Sequence, residues 1–120
     1  MSEHKDQALP HRFRNGLAGL VQGWTRERSL RTQLVLSVVA VLVLVAIGAR
    51  LEWLLAVIAL LALALAAELV NAAVEAMRDR LHPDHHAEIG AAKDMSSAAV
   101  LVVNFAAGAA FVVAVAETLG

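Results

Sequence analysis

Three long apolar runs leave this chain few ways to fold. Residues 32–49, TQLVLSVVAVLVLVAIGA, are eighteen positions without a charge, and residues 95–116, MSSAAVLVVNFAAGAAFVVAVA, are twenty-two. Between them, WLLAVIALLALALAA (53–67) continues past a few polar residues to Met77. A helix rises about 1.5 Å per residue, so about 20 apolar residues cross a bilayer core. Lipid cannot satisfy backbone N–H and C=O groups, so a crossing segment must be a helix or part of a closed barrel. At 120 residues, 59% of them hydrophobic, the chain has too little interior to hide such runs from water. The expectation is an all-α membrane protein forming a single unit over residues 1–120, with spans near 30–49, 51–77 and 95–117.

The first two runs are separated by little more than GARLE, which predicts a tight antiparallel hairpin. The polar stretch RDRLHPDHHAEIGAAKD, broken by Pro83, reads as a loop before the third span. Ahead of the spans, Phe13, Leu17, Leu20, Val21 and Trp24 recur at helical spacing, with Arg12, Arg14, Arg26, Arg28 and Arg31 around the other side. This pattern predicts an amphipathic helix over about 12–28 lying at the membrane surface; a soluble helix packed on a protein partner is the alternative. Six Lys/Arg lie in residues 1–31, three in 78–94, one in the 50–52 turn and none at the C-terminus. Positive residues favour the cytoplasmic side, so the N-terminus and the 78–94 loop are expected there. No internal repeat or heptad seam is legible.

The spans raise a sharper question, because the second carries Glu68, Asn71, Glu75 and Asp79 on one stripe of a 3.6-residue helix. Glu68 falls about 25 Å along a helix that starts at Leu51, near the inner edge of the hydrocarbon. A carboxylate at that depth is costly and usually faces a bundle interior or a wet cavity, marking function. A helix leaving the bilayer early would simply solvate Glu75 and Asp79. In the third span Asp94, Ser97, Leu101, Asn104 and Gly108 share a face rich in small residues, which suits close helix packing. Lys93 and Asp94 stand at its mouth, as a solvated helix end or as part of a site. Together with Glu27 in WTRERSLR they complete a set of carboxylates and one lysine at a single membrane interface. Paired acids beside a cation suit magnesium with phosphate groups, and a further, partly desolvated carboxylate suits a general base. His82, His85 and His86 match no zinc spacing, and a polar loop is their default.

Several classes are excluded or disfavoured. A net charge of −1 and the absence of Tyr argue against a nucleic-acid partner. With no cysteine there is no disulfide, thiolate metal site or cysteine nucleophile. Neither a G-x-x-x-x-G-K-[ST] phosphate loop nor a protein-kinase signature set is present.

AELVNAAVEAMRDR followed by AAKDMSSAAVL, with RERSLR before the first span and LEW at 51–53, resembles the small bacterial integral-membrane diacylglycerol kinases and the similar undecaprenol kinases. The resemblance covers roughly residues 12–118. It implies a homotrimeric helical bundle in the bacterial cytoplasmic membrane, with active sites shared between subunits. The implied reaction passes the γ-phosphate of Mg-ATP to the hydroxyl of diacylglycerol, giving phosphatidic acid. By the same resemblance Glu68 is the proton acceptor, Asn71 a helix residue beside the base, and Glu27 and Glu75 are magnesium ligands at the nucleotide. Lys93 and Asp94 match residues at the phosphates and ribose, Asp84, His85 and His86 the loop contacting the nucleotide, and Ser97 a substrate-site serine. The chain departs from the enterobacterial pattern at Asn15, where an aromatic is usual, and at Gln33, where an acid is usual; Arg12 or Arg14 stands in for an earlier Arg.

Undecaprenol is the alternative acceptor for the same chemistry. A small proton-coupled transporter using Glu68 as its relay, and a non-catalytic packing subunit, are the readings from other classes. The polar stripe running on toward the cytoplasm, with Glu27 and Lys93, favours the kinase over the transporter.

Overall fold

The computed structural model describes residues 8–81 and 87–120. The described residues form four helices and no strand: α1 (Ala8–Arg26), α2 (Arg28–Ala46), α3 (Leu51–Arg80) and α4 (Ala87–Leu119). The last three are long and apolar enough to cross a membrane, and only 11–17% of each apolar window is buried within the chain. Side chains such as Leu36, Leu63, Leu101 and Phe105 point outward. A water-soluble fold would turn such faces inward; these face lipid or further copies of the chain. The protein is an all-α membrane protein.

Helix and span do not end at the same residues. The helix α3 continues past Met77 to Arg80, and α4 begins at Ala87, well before the apolar run that opens at Met95. The stretch expected to be a loop over 78–94 is therefore helical at both ends. Charge bars a segment from lipid without barring it from a helix: AEIGAAKD is rich in good helix formers, and Glu88 sits in the first turn where the helix dipole favours an acid. Arg78 and Arg80 occupy the last turn of α3, where the dipole favours cations.

The turn between α2 and α3 is built on Gly48. Its φ is +78°, in the left-handed region. Gly48 N–H donates to the Val45 carbonyl at 3.1 Å and Ala49 N–H to the Leu44 carbonyl at 3.0 Å, the paired bonds of a Schellman helix end. Carbonyls that would otherwise be orphaned at the helix end are thus satisfied between Leu44 and Ala49. Arg50 then caps α3 from extended backbone and pairs with Glu52 at 2.7 Å, though both side chains are too exposed for the pair to matter much to stability. Beneath the turn, Leu44, Val57 and Ala114 form a buried cluster, with Trp53, Leu54 and Phe111 packed against it.

Helix packing follows a period that is not legible in the sequence. The buried hydrophobic positions are Val57 and Ala64 on α3, Ala107 and Ala114 on α4, and Leu30 and Leu44 on α2, separated within each helix by seven residues or twice seven. This is the seam spacing of nearly parallel or antiparallel helices crossing at small angles. It escapes a hydrophobicity reading because both the packed and the outward faces are apolar, so no contrast marks the seam. On α4 the packed face is Ala107 and Ala114; Leu101 and Gly108, on the neighbouring face expected to pack, are exposed. Asn104 donates to the Val100 carbonyl of its own helix at 3.0 Å.

Gly48→Val should lower the thermal midpoint in detergent micelles, by an amount corresponding to about 1–2 kcal/mol, because a β-branched residue resists the left-handed region. Gly48→Asn should cost less.

Candidate active site

The helices α3 and α4 share the largest interface in the chain, and its character changes along its length. Near the Gly48 turn it is apolar. Toward the other end it becomes polar, at the level where Asn71, Glu75, Lys93 and Ser96 face one another. Lys93 Nζ donates to Asn71 Oδ1 at 2.7 Å and lies 3.3 Å from Glu75 Oε2 and 3.3 Å from Ser97 Oγ. The Lys93 side chain is only 14% exposed and that of Glu75 40%, so the ammonium is set into the seam while the carboxylate reaches outward. Because Asn71 and Glu75 are four residues apart, one turn of α3 presents both to the same cation.

Glu68 lies on that stripe, seven residues nearer the membrane interior than Glu75. At 7% exposure it is the one buried polar or charged side chain among the described residues. Its carboxylate makes no hydrogen bond or ion pair among the described residues, and its oxygens are not fully sealed from solvent.

The N-terminal helix is anchored at the same level. At Gly23 an added Cβ would stand 2.5 Å from Leu30 Cδ2 and 3.1 Å from Leu69 Cδ2, so α1, α2 and α3 meet where any side chain would have to displace these leucines. Leu69 is the residue after Glu68. A single residue, Glu27, separates α1 from α2, with extended backbone at φ −115°, ψ 110° and no side-chain capping bond. Arg31 reaches back across the break: its Nη1 donates to the Trp24 carbonyl at 2.7 Å and the Thr25 carbonyl at 3.3 Å, closing the end of α1.

Between α1 and α3 runs a groove of about 310 Å³, lined by Gly16, Gly19, Gly23, Glu27, Ala72 and Ala76, among others. Small residues on both walls keep it open, and Glu27 contributes a carboxylate to it. On α3 the groove face lies beside the stripe of Glu68 and Glu75, since Ala72 and Ala76 flank Glu75 on the helix. Oxygen donors of this kind fit magnesium, which is commonly held through one or two carboxylates plus substrate phosphates rather than a protein cage. Among the described residues no group of three or more His, Asp or Glu side chains gathers into a metal cluster.

The family of prokaryotic diacylglycerol kinases matches this chain over residues 14–116. The chain belongs to that family. Diacylglycerol kinase of Escherichia coli strain K12 is 33% identical over 84 residues, covering 70% of this chain and 69% of that protein, and the Shigella flexneri diacylglycerol kinase aligns to the same extent. Membership in the prokaryotic diacylglycerol kinases makes the chain a membrane lipid kinase of that type.

Of the expected site residues in this diacylglycerol kinase relative, Asn71, Glu75, Lys93 and Ser97 are brought together, and Glu68 lies on the same face of α3. Glu27 lines the neighbouring groove. Asp94 is exposed. Asp84, His85 and His86 lie outside the described residues. Three residues carry roles that sequence reasoning passed over. Ser96 donates to Asn71 Oδ1 at 2.8 Å, closer than Ser97 at 3.3 Å; adjacent serines on a helix differ by about 100° in direction, and only packing says which faces the seam. Arg31 looked like one more surface cation. Gly23, by contrast, carried a signal: Gly16, Gly19 and Gly23 fall on one side of the helix.

Gly23→Val should undock α1 by driving a branched side chain into Leu30 and Leu69, at a cost of about 1–3 kcal/mol. Limited proteolysis in micelles checks this: trypsin cleavage after Arg26 and Arg28 should accelerate relative to wild type.

Proposed function

We propose that this protein transfers the γ-phosphate of Mg-ATP to the hydroxyl of diacylglycerol, producing phosphatidic acid and ADP. The observation that carries the reading is Glu68, buried on a helix face one residue from the level where the amphipathic α1 docks. An amphipathic helix lies where hydrocarbon meets water. A carboxylate at that depth meets a lipid hydroxyl moving sideways in the bilayer and a nucleotide arriving from solution. Glu68 accepts the hydroxyl proton as the alkoxide oxygen attacks the γ-phosphorus and the bond to the ADP oxygen breaks. Phosphoryl transfer asks for positioning and charge neutralisation rather than covalent help from the protein.

The remaining residues divide that work. Lys93, set into the seam by Asn71 and Ser97, is a fixed positive charge for the phosphates. Glu75, about 10 Å beyond Glu68 along α3, and Glu27 across the groove would hold the magnesium, which when bound neutralises the charge developing on the phosphates. In the free protein Glu75 pairs with Lys93. Arrival of Mg-ATP gives each a new partner of opposite sign, so neither charge is left bare. The α1–α3 groove is the space we assign to the nucleotide, with Asp94 and the segment Asp84–His86 completing its surroundings and Ser97 near the lipid.

We further propose that three copies form a trimer with sites shared between neighbours, which would cover part of the outward apolar faces. The setting is the bacterial cytoplasmic membrane, with α1 and residues 78–94 on the cytoplasmic side, the arrangement that the Lys/Arg distribution favours.

Purified protein in mixed micelles, given radiolabelled ATP and either diacylglycerol or undecaprenol, tests the reading and the acceptor together. Labelled phosphatidic acid is the expected product; label on undecaprenol alone would transfer the same mechanism to the other lipid. Glu68→Gln should lower turnover by about 10²–10⁴-fold, the usual worth of a general base, while nucleotide binding by titration calorimetry is retained. Glu75→Gln should raise the magnesium concentration needed for half-maximal rate. An unchanged magnesium requirement would remove Glu75 from that role.

A further inference from the structure

The contacts around Lys93 offer more donors than a casual count of acceptors can serve. Asn71 Oδ1 lies 2.7 Å from Lys93 Nζ, 2.8 Å from Ser96 Oγ and 3.3 Å from Ser97 Oγ. A carbonyl oxygen has two lone pairs. Each serine has a single hydroxyl proton and a second acceptor within reach, the Lys93 carbonyl, at 2.9 Å from Ser96 and 3.0 Å from Ser97. The ammonium has three N–H donors facing three oxygens: Asn71 Oδ1, Glu75 Oε2 and Ser97 Oγ.

The arrangement that uses the shorter contacts serves every group. Ser97 accepts from the ammonium and sends its own proton to the Lys93 carbonyl. The two lone pairs of Asn71 Oδ1 then belong to Lys93 and Ser96. In this arrangement the shorter contacts at Asn71 are the two that are used, and Ser97 is released from it.

We infer that Ser96 is a positioning residue, whose hydroxyl locks the Asn71 amide with its oxygen toward Lys93 and so holds the ammonium in place. The oxygen and nitrogen of an Asn amide are nearly the same size, and only hydrogen bonding chooses between the two orientations. Turned the other way, the amide would set an N–H donor against the ammonium, which cannot accept, and the Ser96 hydroxyl would have to accept where it now donates. Ser96 donates from α4 across the seam, so the orientation of an α3 side chain is decided by its neighbour helix. That the held ammonium serves nucleotide phosphates rests on the kinase reading above; the orienting role itself does not.

The chain has two lysines, Lys5 and Lys93. Reductive methylation followed by mass spectrometry therefore reads Lys93 directly, with the Lys5 peptide reporting the reagent. In Ser96→Ala, Lys93 should be methylated roughly three- to tenfold faster, the equilibrium worth of one neutral hydrogen bond. The KM for Mg-ATP should rise by a similar factor while kcat stays near wild type. Ser96→Thr, which keeps the hydroxyl, should restore both.

The deciding comparison is Ser96→Ala made in the Asn71→Asp background. A carboxylate presents oxygen whichever way it turns, and its charge slows methylation of Lys93 in both members of that pair, so removing the serine there should leave the rate unchanged. A packing role for Ser96 predicts the same acceleration in both backgrounds. Unchanged Lys93 methylation in Ser96→Ala, or an equal acceleration in the Asn71→Asp background, overturns the inference. Methylation does not depend on catalysis, so a wild-type protein that phosphorylates neither lipid would overturn the kinase reading and leave this result standing.

Discussion

Hydrocarbon cannot solvate a polar group, and that constraint organises the whole chain. Inside the bilayer every backbone group is satisfied along a helix and the seams are made of Val, Leu and Ala. Small side chains let α3 and α4 run close together. That closeness is what allows Lys93 on one helix to reach Asn71 and Glu75 on the other once the seam approaches water. A bulkier seam would spread the helices and take Asn71 and Glu75 away from the ammonium. The apolar half of the interface therefore sets the geometry of the polar half.

A second constraint acts at the junction of α1, α2 and α3. The chain must turn from the amphipathic α1 into the first long apolar helix, and it does so with one residue out of helical conformation. Gly23 permits the close approach, and Arg31 satisfies the exposed end of α1 from the following helix. The consequence for function is positional. Glu27, at the bend, cannot be withdrawn into either helix, and it lines the groove whose other wall is the α3 face next to Glu68 and Glu75. The groove, Glu27 and the carboxylates of Glu68 and Glu75 are thereby gathered along a few turns of α3.

Much of this was legible from residues alone, for a physical reason. Eighteen or more uncharged positions can only be a span, and a glutamate at position 68 within one is too expensive to be incidental. The amphipathic spacing from Phe13 to Trp24, which falls within α1, is equally direct. Spacing on α3 also put Glu68, Asn71 and Glu75 on one face, because a single helix has known periodicity.

What one helix cannot tell is its rotation against the next. When every face is apolar, hydrophobicity does not mark the seam, so the seven-residue spacing from Val57 to Ala64 and from Ala107 to Ala114 emerges only from packing. The same rotation decides that Ser96 rather than Ser97 makes the closer contact with Asn71. Composition and periodicity determined a three-span membrane protein with an acidic stripe near one edge of the bilayer. Tertiary structure alone decided which polar atoms face one another, because hydrogen bonds between helices depend on a relative register that neither helix carries in its own sequence.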